Sequence, residues 1–160
     1  MNNAMTREVI SIKSTQKVRD AWLVMMEADI SGAPVLDING QLVGILSNTD
    51  IYRAIFDRFV KARCLREATG QACEGEAAER EEERELILAI RAVTESPVGS
   101  VIPKDQRILS LSPEDSLDRA IKMMAEHNVN RLPVVKGNQV VGIITRQDII
   151  QIVAGRPRSS

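Results

Sequence analysis

The chain has 160 residues, of which 44% are hydrophobic and 27% are charged, which is ordinary for a soluble globular protein with a buried core. A net charge of −1 and an aromatic content of 2% argue against nucleic acid and an anionic membrane as partners, because no overall field attracts them and few rings remain to stack on bases. Two cysteines, Cys64 and Cys73, and one histidine, His127, are too few for a disulfide framework, a metal site or a catalytic Cys/His pair. No apolar leader or membrane-length segment is present, so the sequence predicts a cytoplasmic protein.

One pattern occurs twice in the chain. The offset between the two copies is 99 residues up to the Pro-Val dipeptides and 98 residues after them, so one residue is lost in between, where a hairpin turn is predicted. The matched segments are residues 9–12 with 108–111, Pro34 with Pro133, Gly44 with Gly142 and Asp50 with Asp148. A single-residue change at a turn, with the flanking register kept, is typical of a true structural repeat.

The first copy begins with a short strand at residues 9–12. An amphipathic helix over 18–28 follows, and its apolar face is listed as Val18, Ala21, Trp22, Met25 and Met26. Strands over 34–36 and 42–46 flank a turn at Asn39-Gly40, a strong hairpin signal, and a second helix starts near Thr49.

The second copy repeats this order. Residues 112–115 have the composition of a helix start, and the apolar face of the helix is listed as Leu117, Ile121, Met124 and Ala125. Strands over 132–135 and 140–144 flank a turn at 136–138, and a helix starts near Gln147. The sequence therefore predicts an α/β (α+β) fold of two β-α-β-β-α motifs.

The region between the copies has no repeat partner. Its apolar residues and the glycines Gly70 and Gly75 predict an extension of the preceding helix, a break, and a further helix that ends before Ser96-Pro97. An apolar stripe formed by Leu86, Ile87, Ile90 and Val93 must be buried against the motifs, against its own hairpin or against another chain. The predicted organisation is a first motif at 5–57, a helical insert at 58–97, a second motif at 98–155 and a tail at 156–160.

Two short stretches in each copy carry a family resemblance. Residues 31–35 (SGAPV) and 44–50 (GILSNTD) resemble the signature stretches of a CBS motif, and residues 130–134 (NRLPV) and 142–148 (GIITRQD) resemble the same stretches in a second motif. A tandem pair of this kind is called a Bateman module. The resemblance covers residues 5–57 and 98–155, and it implies pseudo-two-fold symmetry, a regulatory rather than a catalytic role, and association into a homodimer.

The resemblance also implies a binding site for an adenosine nucleotide: AMP, ADP, ATP or S-adenosylmethionine. The residues that it assigns to this site are Gly32, Ala33, Pro34, Ser47, Asp50, Arg131, Leu132, Pro133, Thr145 and Asp148, and the charge of the second copy adds Arg146. Helix N-termini favour phosphate, and a carboxylate can accept both hydroxyls of a ribose. Ser47 with Asp50, and Thr145 with Asp148, also fit simple helix capping, and this alternative stays open.

The two copies differ in charge. The second carries Arg131 and Arg146 where the first has Gly32 and Asn48, so we expect the site at Asp148 to hold the more phosphorylated ligand. The alternative for both arginines is ordinary surface charge.

Two other functions compete with ligand sensing. One is a protein-interaction module that works through the helical insert with vestigial nucleotide sites. The other is an enzyme, which is disfavoured because the sequence has no nucleophile–base pair, metal-ligand cluster or Walker-type loop.

Overall fold

Helices and strands follow the order that the repeat predicts. The computed structural model describes residues 5–70 and 75–155, so Cys73 and the predicted tail at 156–160 lie outside the described residues. In chain order the elements are β1 (Ile12–Lys13), α1 (Val18–Glu27), β2 (Gly32–Leu36), β3 (Leu42–Ser47), α2 (Asn48–Ala68), α3 (Glu76–Thr94), a 3-10 turn (Val98–Ser100), α4 (Leu117–His127), β4 (Arg131–Lys136), β5 (Gln139–Thr145) and α5 (Arg146–Val153).

Each motif contains a small sheet. In the first, β1 runs parallel to β2, which pairs antiparallel with β3. In the second, β4 pairs antiparallel with β5, and the equivalent of β1 is a single parallel bridge between Leu111 and Val134. This bridge corresponds to the pair Ile12–Val35 in β1 and β2. The predicted mixed α/β fold is therefore confirmed, with the first strand of the second motif reduced to one bridge.

The residue lost between the repeats lies in the hairpin turn. The pairs Leu36–Leu42 and Val135–Val140 are equivalent in the repeat, and they enclose residues 37–41 in the first motif and 136–139 in the second, so the second hairpin is one residue shorter. The glycines of both turns, Gly40 and Gly137, have positive φ angles of 78° and 61°. Side chains other than glycine rarely adopt this backbone conformation, so the glycines fix the turns.

Aliphatic side chains form a separate core in each motif. The first includes Val18, Met25, Val35, Leu46 and Ile51, and the second includes Leu111, Met124, Leu132, Val134 and Ile144. The predicted buried faces of the first helices were too wide, because Met26 is 67% exposed and Ile121 is 40% exposed. On α1 the buried residues are Val18, Ala21 and Met25, and Met26 is turned about 100° from Met25 around the helix axis.

The helices between the motifs are part of the first core. α2 continues to Ala68 and α3 packs against it, and Ala89 and Val93 of α3 are buried in the first core. The predicted apolar stripe is only partly buried by this chain, since Leu86, Ile87 and Ile90 are 41%, 56% and 39% exposed. The stripe is wider than the strip of helix surface that meets the first motif.

Candidate functional site

Helix α2 begins with a reciprocal cap. The Ser47 hydroxyl oxygen accepts from the Asp50 backbone N–H at 3.3 Å, and Oδ2 of Asp50 accepts from the Ser47 backbone N–H at 2.9 Å and from the Ser47 hydroxyl at 2.5 Å. Oδ1 of Asp50 makes no hydrogen bond with the residues that the structure describes. One oxygen of this carboxylate thus fixes the helix start and the other remains available to accept a hydrogen bond from a ligand.

Helix α5 begins in the same way. Oδ2 of Asp148 accepts from the Thr145 backbone N–H at 2.8 Å and from the Thr145 hydroxyl at 2.9 Å, and the Asp148 backbone N–H donates to that hydroxyl at 3.2 Å. Capping is therefore a real role of both Ser/Thr–Asp pairs. It also sets the two carboxylates rigidly at the edge of the cavities described below.

The segment that leads into each motif crosses to the other motif. The Thr6 backbone pairs with Ile143 of β5 through two hydrogen bonds, at 2.8 and 3.0 Å. The Gln106 side chain makes the equivalent pair with Ile45 of β3, accepting from its N–H at 2.8 Å and donating to its carbonyl at 3.0 Å. Ile45 and Ile143 are equivalent positions of the repeat, so the two crossings are related by the same internal symmetry.

Two cavities of similar size result from these crossings. The first, called here the Asp148 pocket, has a volume of about 480 Å³ and lies between Thr145–Asp148 and the lead-in residues 6–10. The second, called the Asp50 pocket, has a volume of about 460 Å³ and lies between Ser47–Asp50 and the lead-in residues 106–109. Both volumes fall within the range of small-molecule sites.

Three residues form a wall common to both pockets: Ser31, Asn130 and Arg131. Nη2 of Arg131 donates to the Ser31 hydroxyl at 2.6 Å. Burial lowers the pKa of Arg131 from its ordinary value, and the negative charge of Asp50 opposes this shift. A Cβ added at Gly32 would overlap Nη1 of Arg131, so glycine leaves the space in which the guanidinium lies between the pockets.

The structure brings most, but not all, of the predicted site residues to the pockets. Gly32, Pro34, Arg131, Thr145, Arg146 and Asp148 line the Asp148 pocket, and Ser47, Asp50 and Arg131 line the Asp50 pocket. Ala33, Leu132 and Pro133 line neither pocket and are buried, with the first two in the cores of their motifs. The side chains of Ala33 and Leu132 alternate along their strands with those of Pro34 and Arg131, which line the cavity.

The expected charge asymmetry between the pockets is wrong in sign. The charged residues lining the Asp50 pocket are Arg53, Arg107, Arg131 and Asp50. Those lining the Asp148 pocket are Arg131, Arg146, Glu8, Asp29 and Asp148. Among the described residues the first set has a formal charge of +2 and the second a formal charge of −1. The Asp50 pocket is the more basic one because Arg131 is shared and the lead-in segments have opposite charges.

The sequence interpretation missed the lead-in residues Glu8, Gln106 and Arg107. Glu8 and Arg107 are separated by the repeat offset of 99 and immediately precede the matched segments at 9–12 and 108–111. Extending the repeat alignment by one residue towards the N-terminus shows that an acidic residue in the first copy corresponds to a basic residue in the second. It does not show that each segment crosses to the opposite motif.

Residues 5–70 and 75–155 contain neither a metal-ligand cluster nor a membrane-spanning helix. Within those ranges no group of three or more His, Cys, Asp or Glu side chains is arranged to hold a metal ion. Over the same ranges, every helix is too short or too polar to cross a membrane.

The fold is a tandem of two repeated α/β units with two cavities that share a wall. The chain belongs to the CBS domain family, whose profile matches residues 2–57 and 98–155. It is 31% identical over 124 residues to the uncharacterised protein MJ1426 of Methanocaldococcus jannaschii, covering 76% of this chain and 72% of that protein. It is also 27% identical over 150 residues to MJ1404 of the same organism, covering 94% of this chain but only 31% of that longer protein.

Solved structures share the fold. A putative acetoin utilization protein from Vibrio cholerae (AcuB) has a TM-score of 0.65 and 26% identity, covering 95% of this chain and 87% of that one. CBSX2 in complex with AMP has a TM-score of 0.64 and 23% identity, with coverage of 94% and 92%. The CBS domain pair of MJ0100 in complex with 5′-methylthioadenosine and S-adenosylmethionine has a TM-score of 0.65 and 19% identity, with coverage of 95% and 93%.

Proposed function

We propose that this chain is a regulatory module that binds adenosine-type ligands in the Asp50 and Asp148 pockets and does not transform them. The observation that carries the proposal is the equivalence of the two cavities. Each combines a capped Ser/Thr–Asp helix start from one motif with the lead-in segment of the other. A ligand in such a cavity contacts both motifs at once, so its binding energy depends on how they are placed relative to each other.

The chemistry of the pocket edges supports a nucleotide. At the start of α2 the Asn48 N–H already donates to the Ser31 carbonyl and the Asp50 N–H to the Ser47 hydroxyl, and α5 is capped in the equivalent way. The positive end of the helix dipole is therefore what attracts phosphate to these edges. The carboxylate of Asp50 lies one turn into α2, where its free oxygen suits a ribose hydroxyl. Apolar side chains of the lead-in segments, Val9 and Ile108, provide surfaces against which a purine can pack.

The relatives support the same class of ligand. The structures with this fold include one in complex with AMP and one with 5′-methylthioadenosine and S-adenosylmethionine. These ligands share an adenosine group and differ in what the 5′ carbon carries, so adenosine recognition is the part we transfer to this chain.

Thermal unfolding with added AMP, ADP, ATP or S-adenosylmethionine tests the proposal. A ligand present at 100 times its Kd stabilises the folded state by about 2.7 kcal/mol. For a chain of this size that corresponds to a rise in Tm of roughly 5–10 °C. The rise should increase with ligand concentration and should shrink in Asp50→Ala and Asp148→Ala. No rise with any of the four compounds contradicts the proposal, and ATP hydrolysis by the purified chain contradicts its non-catalytic part.

We also propose that two copies associate through the exposed face of α1 and α2. Met26, Tyr52 and Phe56 are 67%, 58% and 63% exposed on this face, and Trp22 packs edge-to-face on Tyr52 at 5.5 Å. Large apolar side chains clustered on a surface favour burial in an interface. Light scattering should therefore give the mass of a dimer for the wild type and a monomer for Phe56→Asp. A monomeric wild type would contradict this part.

A second candidate function is protein recognition through α3. The favouring observation is the exposure of its apolar residues Leu86, Ile87, Leu88 and Ile90. Deleting α3 is a poor test, because Ala89 and Val93 belong to the first core. The double substitution Ile87→Ser and Leu88→Ser removes the two most exposed of these four apolar side chains and leaves the core residues unchanged. If these changes abolish association with a partner but leave nucleotide binding unchanged, α3 is a separate interaction surface.

A further inference from the structure

We propose that the two pockets select their ligands by charge. The Asp50 pocket binds a polyphosphorylated adenosine nucleotide, and the Asp148 pocket binds an adenosine derivative without net negative charge. This inference rests on the proposed adenosine binding and specifies which ligand each pocket takes. The two cavities have nearly equal volumes, so their difference lies in the charges around them rather than in space.

The first difference lies in the lead-in segments. Arg107 lines the Asp50 pocket, and its repeat equivalent Glu8 lines the Asp148 pocket. Arg107 follows Gln106, which is hydrogen-bonded to Ile45 of the other motif. Glu8 lies two residues after Thr6, which is hydrogen-bonded to Ile143 of the other motif. The two charges are therefore held at equivalent edges of the two cavities with opposite sign.

The second difference follows the first helix of each motif. Asp29 and Asn128 are repeat equivalents with φ angles of 52° and 51°. Asp29 lines the Asp148 pocket and Asn128 lines the Asp50 pocket. Asn and Asp both tolerate this left-handed conformation, so backbone geometry does not explain the difference in charge. The carboxylate adds a second negative charge to the Asp148 pocket beyond its own aspartate.

Two arginines complete the balance. Arg146 lines the Asp148 pocket where the first motif has Asn48, and its positive charge partly offsets the negative charge of that pocket. Its guanidinium, however, donates at 3.4 Å to Asn128, a wall residue of the Asp50 pocket. Arg53 lines the Asp50 pocket, and its repeat equivalent Gln151 is uncharged. With the shared Arg131, three arginines surround one carboxylate in the Asp50 pocket.

Isothermal titration of the full chain with ATP and with adenosine tests the inference, since the two probes differ only in the triphosphate. Arg107→Glu should weaken ATP binding by about tenfold or more and change adenosine binding by less than about threefold, because only the triphosphate meets the reversed charge. Glu8→Arg should allow ATP to bind in the Asp148 pocket and should raise the number of ATP molecules bound per chain from one to two. Asp50→Asn and Asp148→Asn identify the pocket that each probe occupies.

Lys104→Glu is the matched control. Lys104 is exposed, lies three residues from Arg107 and lines neither pocket, so its reversal changes the net charge equally without touching a ligand. Equal losses of ATP affinity in Lys104→Glu and Arg107→Glu, or ATP bound in the Asp148 pocket, would overturn the inference while leaving adenosine binding intact. Absence of binding by both probes to the wild type would overturn the proposed function as well.

Discussion

The side chain of Gln106 is hydrogen-bonded to the edge of β3 as a strand would be, and removing it should lower the free energy of unfolding by an amount that can be calculated. In the wild type this side chain makes two hydrogen bonds with the Ile45 backbone, at 2.8 and 3.0 Å, in a partly buried position. Gln106→Leu keeps the approximate size and removes both bonds. A hydrogen bond of this kind contributes about 1 kcal/mol net, so the free energy of unfolding should fall by about 2 kcal/mol. For a chain of this size that lowers Tm by roughly 4–8 °C.

Urea unfolding followed by circular dichroism measures this loss. Gln41→Leu is the matched control, because Gln41 is exposed in the first hairpin and its hydrogen bonds involve only its backbone. The control should stay within about 0.5 kcal/mol of the wild type. Gln106→Leu should also weaken ATP binding, because Arg107 loses its fixed neighbour. A loss below about 0.5 kcal/mol would refute the view that this side chain ties the lead-in segment to the first motif.

Other changes test the packing and charge of the fold. Gly32→Ala places a Cβ against the Leu46 carbonyl oxygen as well as the Arg131 guanidinium and should cost about 1–3 kcal/mol of stability in urea unfolding, because the backbone oxygen cannot move aside as the arginine can; an unchanged midpoint would contradict the close approach. Leu132→Ala empties part of the second core and should cost about 2–5 kcal/mol; a smaller loss would mean that the core collapses around the gap. The pKa of Glu95 is lowered by a hydrogen bond from Lys17 and by the charge of Arg19, so its carboxylate stabilises the fold above the unfolded pKa and loses this effect as pH falls through the folded pKa. Glu95→Gln should therefore lower Tm slightly at pH 7, with a difference that vanishes in acid and in high salt; a difference independent of pH would contradict this.

The repeat made the architecture predictable. Constant offsets located both motifs, and the Asn39-Gly40 and Gly137 turns identified the hairpins because few residues adopt a positive φ. The helix starts at Ser47 and Thr145 were equally visible, since capping depends on residues only three positions apart.

The composition of the pockets was not predictable in the same way. Whether residues 6–10 pack on their own motif or on the other one depends on tertiary contacts that no local pattern encodes. The side-chain amide of Gln106 makes the two hydrogen bonds that a neighbouring strand would make with Ile45, and no pattern in the surrounding sequence predicts this. The predicted sign of the charge difference between the pockets is wrong for this reason. Arg131 and Arg146 are visible in the signature stretches, whereas Glu8 and Arg107 reach the pockets only through the crossing of the lead-in segments.

The most direct test of the account is the binding of adenine nucleotide to the wild type and to the double variant Asp50→Asn, Asp148→Asn by titration calorimetry. Asparagine keeps the size of each side chain and one oxygen for capping, so the folded state should persist, which circular dichroism verifies. Binding to the wild type should be saturable and should weaken by about tenfold or more in the double variant, because the charged acceptors for the ribose are gone. Equal affinity in both proteins, or no binding to the wild type at millimolar nucleotide, would contradict the central claim.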